Sequence, residues 1–221
     1  MATIKRKTSE PYVLDEAAIK VALIDRVLCD LGAHDFITRE LPYSFNRRRA
    51  DLAIIGQQFT GFEIKSDVDN LNKLDEQIAA YNKSFHLTYI ATTEKHLNNI
   101  RKSVPRSVGI YLFAPDGMQR IRKAVPRKRL DRARLLSMID RKTIERALIN
   151  KRTNSTLLKK MAIEDIYDFA AQALTQEQIE GLVRMELRVK YSGGFSLFMS
   201  ERGEGTVTDD LLLLGIEREI F

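Results

Sequence analysis

Two short apolar-rich runs, Arg49–Ile55 and Phe59–Lys65, are separated by only Gly56-Gln57-Gln58. A link that short joins strands as a hairpin, which commits the chain to an antiparallel pair near its middle. Along the second run, period-two alternation sends Phe62 and Ile64 into the core and leaves Glu63 and Lys65 together on the opposite face. Leu52, Ile54 and Ile55 supply the apolar body of the first run, and Asp51 begins it. Closing the hairpin sets the start of one strand beside the end of the other, so Asp51 comes next to Glu63 and Lys65.

Around this pair the pattern alternates between the two regular periods. Ile19, Ala22, Leu23, Val27 and Leu31 keep helical steps over Leu14–Leu31, and Gly32 stops the helix. Phe36–Leu41 reads as a short strand closed by Pro42. Asp69–Phe85 predicts an amphipathic helix with Asp69 as N-cap, carrying Leu71, Leu74, Ile78 and Tyr81 on one face. Leu87–Ala91 follows as a strand, Glu94–Ser103 as a helix and Val108–Phe113 as a strand. Pro115-Asp116-Gly117 turns the chain back into Met118–Ala124. Beyond Pro126 the periodicity is helical: Leu130–Ile139, Thr143–Lys151, Thr156–Ala173 in one piece or two, and Glu177–Val189. The order is that of an α/β core with a mixed central sheet flanked by helices, followed by a C-terminal helical extension, and not the βαβα alternation of a Rossmann domain. We therefore expect a core over 1–125, a basic helical region over 126–191, and a tail over 192–221. Gly193-Gly194 and Leu211–Leu214 in that tail fit either a hairpin packed on the core or a segment docking to a protein partner.

Composition excludes several classes. Hydrophobic residues at 44% and charged residues at 30% rule out wholesale disorder. The single cysteine, Cys29, excludes an internal disulfide framework and any multi-thiolate metal site, and its apolar neighbours place it in the core. No run of apolar residues is long enough for a membrane span, and Met1–Glu10 lacks the apolar stretch of a secretion signal, so the expected location is the cytoplasm. The net charge of +6 is unevenly placed, because Lys and Arg crowd between Met118 and Lys160 while acidic residues predominate elsewhere. Such a split suits a polyanionic partner, with a solvated helical face as the alternative.

Asp51, Glu63 and Lys65 are the residues that ask for chemistry. Neighbouring carboxylates repel unless a cation or a shared proton lies between them. A hard cation such as magnesium would be held by their oxygens, and a lysine beside it would serve an attacking water. An ordinary Glu–Lys pair on an exposed strand face is the other reading. Gln77 and Tyr81, four apart on the next helix, fall on one helix face. Gln77 would orient the lysine or meet a phosphate, and Tyr81 either packs its ring inward or meets nucleic acid.

These pieces together resemble the PD-(D/E)XK, or restriction-endonuclease-like, nuclease superfamily. Arg49-Ala50-Asp51-Leu52-Ala53, Gly61-Phe62-Glu63-Ile64-Lys65-Ser66-Asp67 and the Gln77-x-x-x-Tyr81 helix are similar to a group of small, mostly uncharacterised bacterial and phage members, as is Val104-Pro105-x-Ser107-Val108-Gly109-Ile110. The resemblance spans about residues 14–125, with Ala50 where the naming proline would stand. It implies a metal-dependent nuclease acting on DNA, in repair and processing or in phage-related defence. In that assignment Asp51, Glu63, the Ile64 carbonyl and a carboxylate from the first helix hold magnesium, with manganese as a substitute, and Lys65 serves the water. Glu16 is the helix carboxylate chosen, because Ile19 and Leu23 set it above the core-facing stripe. Asp15 is the second choice and Glu40 a reserve. Homodimers that cut two strands are common among such nucleases. The alternative is a protein of the same fold that binds nucleic acid with little or no turnover and docks to a larger assembly.

Two basic clusters are the candidates for holding the nucleic acid. Arg47, Arg48 and Arg49 lead into Asp51, and Arg127, Lys128 and Arg129 lie at the centre of the basic stretch. His34, His86 and His96 show no metal-ligand spacing, and Ser192-Gly193-Gly194 lacks a paired base for a nucleophile.

Overall fold

A computed structural model describes residues 14–217. Helix α1 (Glu16–Leu28) starts at Asp15, whose carboxylate accepts the Ala18 N–H at 2.8 Å, and buries Ile19, Leu23, Ile24 and Val27 along one stripe. Three strands follow: β1 (Phe36–Tyr43), β2 (Arg48–Ile55) and β3 (Phe59–Lys65), each antiparallel to the next. Helix α2 (Leu74–Ser84) then crosses over to β4 (Leu87–Thr92), and α3 (Glu94–Ser103) to β5 (Gly109–Ala114), giving two parallel pairings. Strand β6 (Gly117–Arg122) returns antiparallel to β5, completing a six-stranded mixed sheet in the order β1-β2-β3-β4-β5-β6.

The expected alternation along β3 decides how the two faces are covered. Phe62 and Ile64 join Ile19, Leu23, Leu52 and Tyr89 in a cluster under α1. On the other face α2 lies close, because Gly61 has no side chain. A Cβ there would stand 2.7 Å from the Tyr81 ring. The helices α4 (Arg132–Leu136), α5 (Arg141–Asn150), α6 (Ser155–Lys160), α7 (Ile163–Ala173) and α8 (Gln176–Glu201) follow. Their apolar residues, among them Leu135, Ile166, Val183 and Leu187, share one core cluster with Leu41, Tyr43, Ala50 and Tyr81. The basic helical region is therefore packed on the β1–β2 side of the sheet.

Several local expectations are corrected. β1 runs through Pro42, which pairs with Arg49; β1 is an edge strand, where a missing N–H breaks no ladder on its free side. α2 begins at Leu74 rather than Asp69. The Asp69 carboxylate instead takes the N–H and hydroxyl of Ser66, at 2.8 and 2.6 Å, and closes a turn. Cys29 is exposed at the C-cap of α1, off the Leu23–Val27 stripe. The tail has no strand among its described residues. α8 continues through Gly193-Gly194, and a 3-10 helix (Thr208–Gly215) folds back so that Leu211 and Leu214 enter the α1 cluster. Gly194 permits this return, since a Cβ there would lie 2.5 Å from the Leu213 carbonyl oxygen. Met1–Glu10, read above for a secretion signal, and the last four residues of the tail lie outside the described residues. No helix among the described residues is long and apolar enough to cross a membrane.

Candidate active site

The strand register lines up three carboxylates. Leu52 pairs with Arg39 on one side and Phe62 on the other, and the next β1–β2 pair is Leu41 with Ala50. Asp51 therefore lies level with Glu40 on β1 and with Glu63 on β3. Glu40 breaks the strand regularity with φ of 50°, a left-handed conformation that costs a residue with a side chain about 1 kcal/mol or more. The Arg49 guanidinium supports it, donating to the Glu40 carbonyl at 3.1 Å. From this position Glu40 reaches α1, where Lys20 Nζ lies 3.1 Å from Glu40 and 2.9 Å from Glu16. Glu16, Glu40 and Asp51 each bring a carboxylate oxygen within 4.8 Å of the others.

The second half of the site is a hydrogen-bonded set on β3 and α2. Lys65 Nζ lies 2.7 Å from Glu63 Oε1, and both side chains are buried. Gln77, one helical turn before Tyr81, donates to the same oxygen. Asp51 Oδ2 accepts the Ile64 N–H at 2.6 Å, tying the two halves together. Burial, reinforced by the neighbouring Glu63, holds the Asp51 carboxyl well above the usual carboxylate range. Burial also raises Glu63, against the pull of the Lys65 ammonium. For Lys20 burial works in the opposite sense, but Glu16 and Glu40 outweigh it and its pKa rises.

The structure thus brings together Asp51, Glu63, Lys65, Gln77 and Glu16. Glu40, held only in reserve by sequence, belongs with Glu16 and Asp51, whereas Asp15 is used as the helix cap. The carboxylate group that forms around Asp51 contains Glu40 in place of Glu63, whose Oε1 is engaged by Lys65 and Gln77. Ile64, whose carbonyl the resemblance assigns to a metal, meets Asp51 through its N–H. Lys20 went unnoticed, although a lysine inside the Ile19–Leu23 stripe and four residues after Glu16 was a signal. Tyr81 is fully buried with its hydroxyl on the Phe62 carbonyl at 2.8 Å, so its ring packs inward and does not meet nucleic acid.

The basic candidates separate in the same way. Arg47 is exposed, and Arg48 faces Glu76 on α2 at 3.6 Å. Lys128 and Arg129 are exposed, but Arg127 is half-buried, with its guanidinium on Ser107 Oγ at 3.1 Å and its N–H on the His86 carbonyl at 2.9 Å. His86 itself accepts the Phe59 N–H on Nδ1 and faces Glu180, which is a structural role.

The pattern of the family described as bacteriophage P4 protein cII matches residues 10–215. The chain belongs to that family. It is 28% identical over 212 residues to protein cII of Enterobacteria phage P4, covering 91% of this chain and 78% of that one. Among solved structures, the SPO1766 protein of unknown function from Silicibacter pomeroyi is 16% identical, covering 61% of this chain and 88% of that one, with a TM-score of 0.40.

In this cII-family chain the donor set suits a hard cation. Glu16, Glu40 and Asp51 offer oxygen ligands alone, the chemistry magnesium and manganese prefer. Negative charge there is incompletely offset, as the raised Asp51 and Glu63 carboxyls show, and a divalent cation would relieve it.

Proposed function

We propose that the chain is a magnesium-dependent nuclease that hydrolyses phosphodiester bonds in DNA, in the cytoplasm of a cell carrying a phage-related element. The observation that carries the reading is the convergence of Glu16, Glu40 and Asp51 beside the Glu63–Lys65–Gln77 set. The resemblance of these strands to PD-(D/E)XK nucleases supports it, and family membership alongside a phage protein is compatible with it. Asp51, Glu16 and Glu40 would hold magnesium, with Glu63 completing the acidic set from the next strand. When bound, magnesium polarises a phosphate and lowers the pKa of water. The chain's own part is positional: Glu63 and Gln77 fix the Lys65 ammonium, which orients the attacking water and offsets charge building on the phosphate.

One observation favours a second reading, a DNA-binding protein without turnover. Lys20 already bridges Glu16 and Glu40, doing the electrostatic work of a cation. Incubation of the purified chain with labelled duplex DNA, single-stranded DNA and RNA, in magnesium, manganese or a chelator, separates the two. Cleavage of DNA with either metal and none in chelator supports the nuclease. Retention of DNA with no cleavage in any condition supports the second reading.

A further inference from the structure

The basic stretch that dominates the sequence is largely engaged inside the molecule. Arg122 donates to the Val108 carbonyl at 2.7 Å, Arg132 to the Ala171 carbonyl at 3.1 Å, and Arg141 to the carbonyls of Leu158 and Met161 at 2.7 and 3.0 Å. Arg120 pairs with Asp30 at 3.2 Å, Arg127 binds Ser107, and Arg134 binds Ser44. A guanidinium held by carbonyl oxygens and hydroxyls is positioned for packing, and a phosphate would have to compete for it.

Unengaged positive charge gathers elsewhere. A cleft of about 580 Å³ lies between α2 and the β1–β2 turn, with Arg47, Arg48, Lys73, Lys83 and Arg134 on its walls and Glu76 as its one carboxylate. Lys73 and Lys83 are exposed. They sit on the same helix face as Glu76 and Ala80, following three- and four-residue steps. Ala79 and Ala80 line the cleft and keep its floor low, so an extended backbone can lie close to α2. The cleft also borders the candidate active site. Arg48 precedes Asp51 by three strand residues, about 10 Å, and Lys73 precedes Gln77 by about one helical turn.

The turn that shapes the cleft is strained and held from outside. Ser44, Phe45 and Asn46 all have left-handed φ, at 54°, 61° and 60°. Ser137, just after α4, accepts the Phe45 N–H at 2.9 Å, and Phe45 is covered by the Tyr167 ring and the Arg134 guanidinium at 5.6 and 5.7 Å.

We infer that this cleft seats the phosphodiester backbone of the nucleic acid, with Arg47, Arg48, Lys73 and Lys83 as the phosphate contacts. The inference rests on the proposed function in taking DNA as the polyanion, and it moves the grip away from Arg127–Arg129 to the rim of the carboxylates.

The test is equilibrium binding of a fluorescein-labelled DNA duplex to the full chain, in chelator, over a series of salt concentrations. Lys73→Gln with Lys83→Gln should lower affinity roughly tenfold and flatten the log–log salt slope by about two, since each phosphate contact contributes roughly 0.9. The pair Lys128→Gln with Arg129→Gln should keep the wild-type slope. An unchanged slope in the α2 pair, or a loss confined to the Lys128/Arg129 pair, overturns the inference. Cleavage assayed separately in magnesium keeps the two ideas apart. A protein with the expected binding pattern that never cuts loses the nuclease reading and retains this one. A protein that cuts while the α2 pair binds like wild type loses this one alone.

Discussion

The Asp51 carboxylate accepts the Ile64 N–H at 2.6 Å, so one hydrogen bond joins the two strands that supply the acidic residues at the place where their charges meet. That bond keeps an unfavourable carboxylate in position. Asparagine can accept the same N–H without the charge, which makes Asp51→Asn an informative substitution.

At neutral pH, Asp51→Asn should raise the melting temperature in chelator, by an order of 1 kcal/mol or about 2–4 °C for a chain of this size. The sign follows from linkage. The folded Asp51 carboxyl titrates above its unfolded value, so ionisation opposes folding, fully above the folded pKa and not at all below the unfolded one. The advantage of the variant should be largest on the alkaline side and close as pH falls through the folded pKa towards about 4. Differential scanning fluorimetry over that range checks both size and direction. A variant less stable than wild type at every pH contradicts the electrostatic account.

Lys20→Met removes the ammonium between Glu16 and Glu40. Stability in chelator should fall, because two carboxylates lose their counter-charge, and the rise in melting temperature on adding magnesium should become larger than in wild type. Thermal scans of both proteins against magnesium concentration measure it. An identical magnesium response would show that Lys20 and the cation do not share those carboxylates.

Breaking the buried Glu63–Lys65 pair from one side should cost about 3–5 kcal/mol, so Lys65→Met and Glu63→Gln each lower stability. The double variant should recover much of that loss while staying inactive. Denaturant unfolding of the four proteins of this cycle gives the coupling, and a cleavage assay gives the chemistry. Recovery of activity along with stability would remove Lys65 from the catalytic role.

Ser137→Ala orphans the Phe45 N–H in the left-handed turn and should cost about 1–3 kcal/mol. DNA affinity should fall as well, although Ser137 does not line the cleft, because Arg47 and Arg48 follow directly from that turn. Loss of stability with unchanged affinity would make the contact purely structural.

The central hairpin was legible because a short link and period-two alternation fix a register, and the register carries Asp51, Glu63 and Lys65 with it. Gln77 and Glu16 followed from helical spacing on elements packed against that hairpin. Glu40 could be held only in reserve, since its place depends on a left-handed backbone that nothing local in Arg39-Glu40-Leu41 announces. Lys20 was missed because charged residues on a helix are read as solvated unless their neighbours on the stripe are weighed. Cys29 was misplaced for a related reason: apolar neighbours in sequence do not put a residue on the buried stripe. The glycine pair in α8 reads as a breaker, and only the return of Leu213 explains why Gly194 sits inside a helix. Charge density misled most clearly at Arg127, whose partners lie far away in sequence at His86 and Ser107.

The central claim is that the carboxylates around Asp51 hold a divalent cation for phosphodiester hydrolysis. It is tested most directly by the rate of cleavage of labelled DNA by wild type and Asp51→Asn, purified identically and assayed in magnesium and in chelator. The account predicts cleavage by wild type in magnesium only, and a rate for Asp51→Asn lower by about 100-fold or more, a loss of the size that follows when a positioned catalytic group is removed. Equal rates for the two proteins, or cleavage by wild type undiminished in chelator, would contradict it.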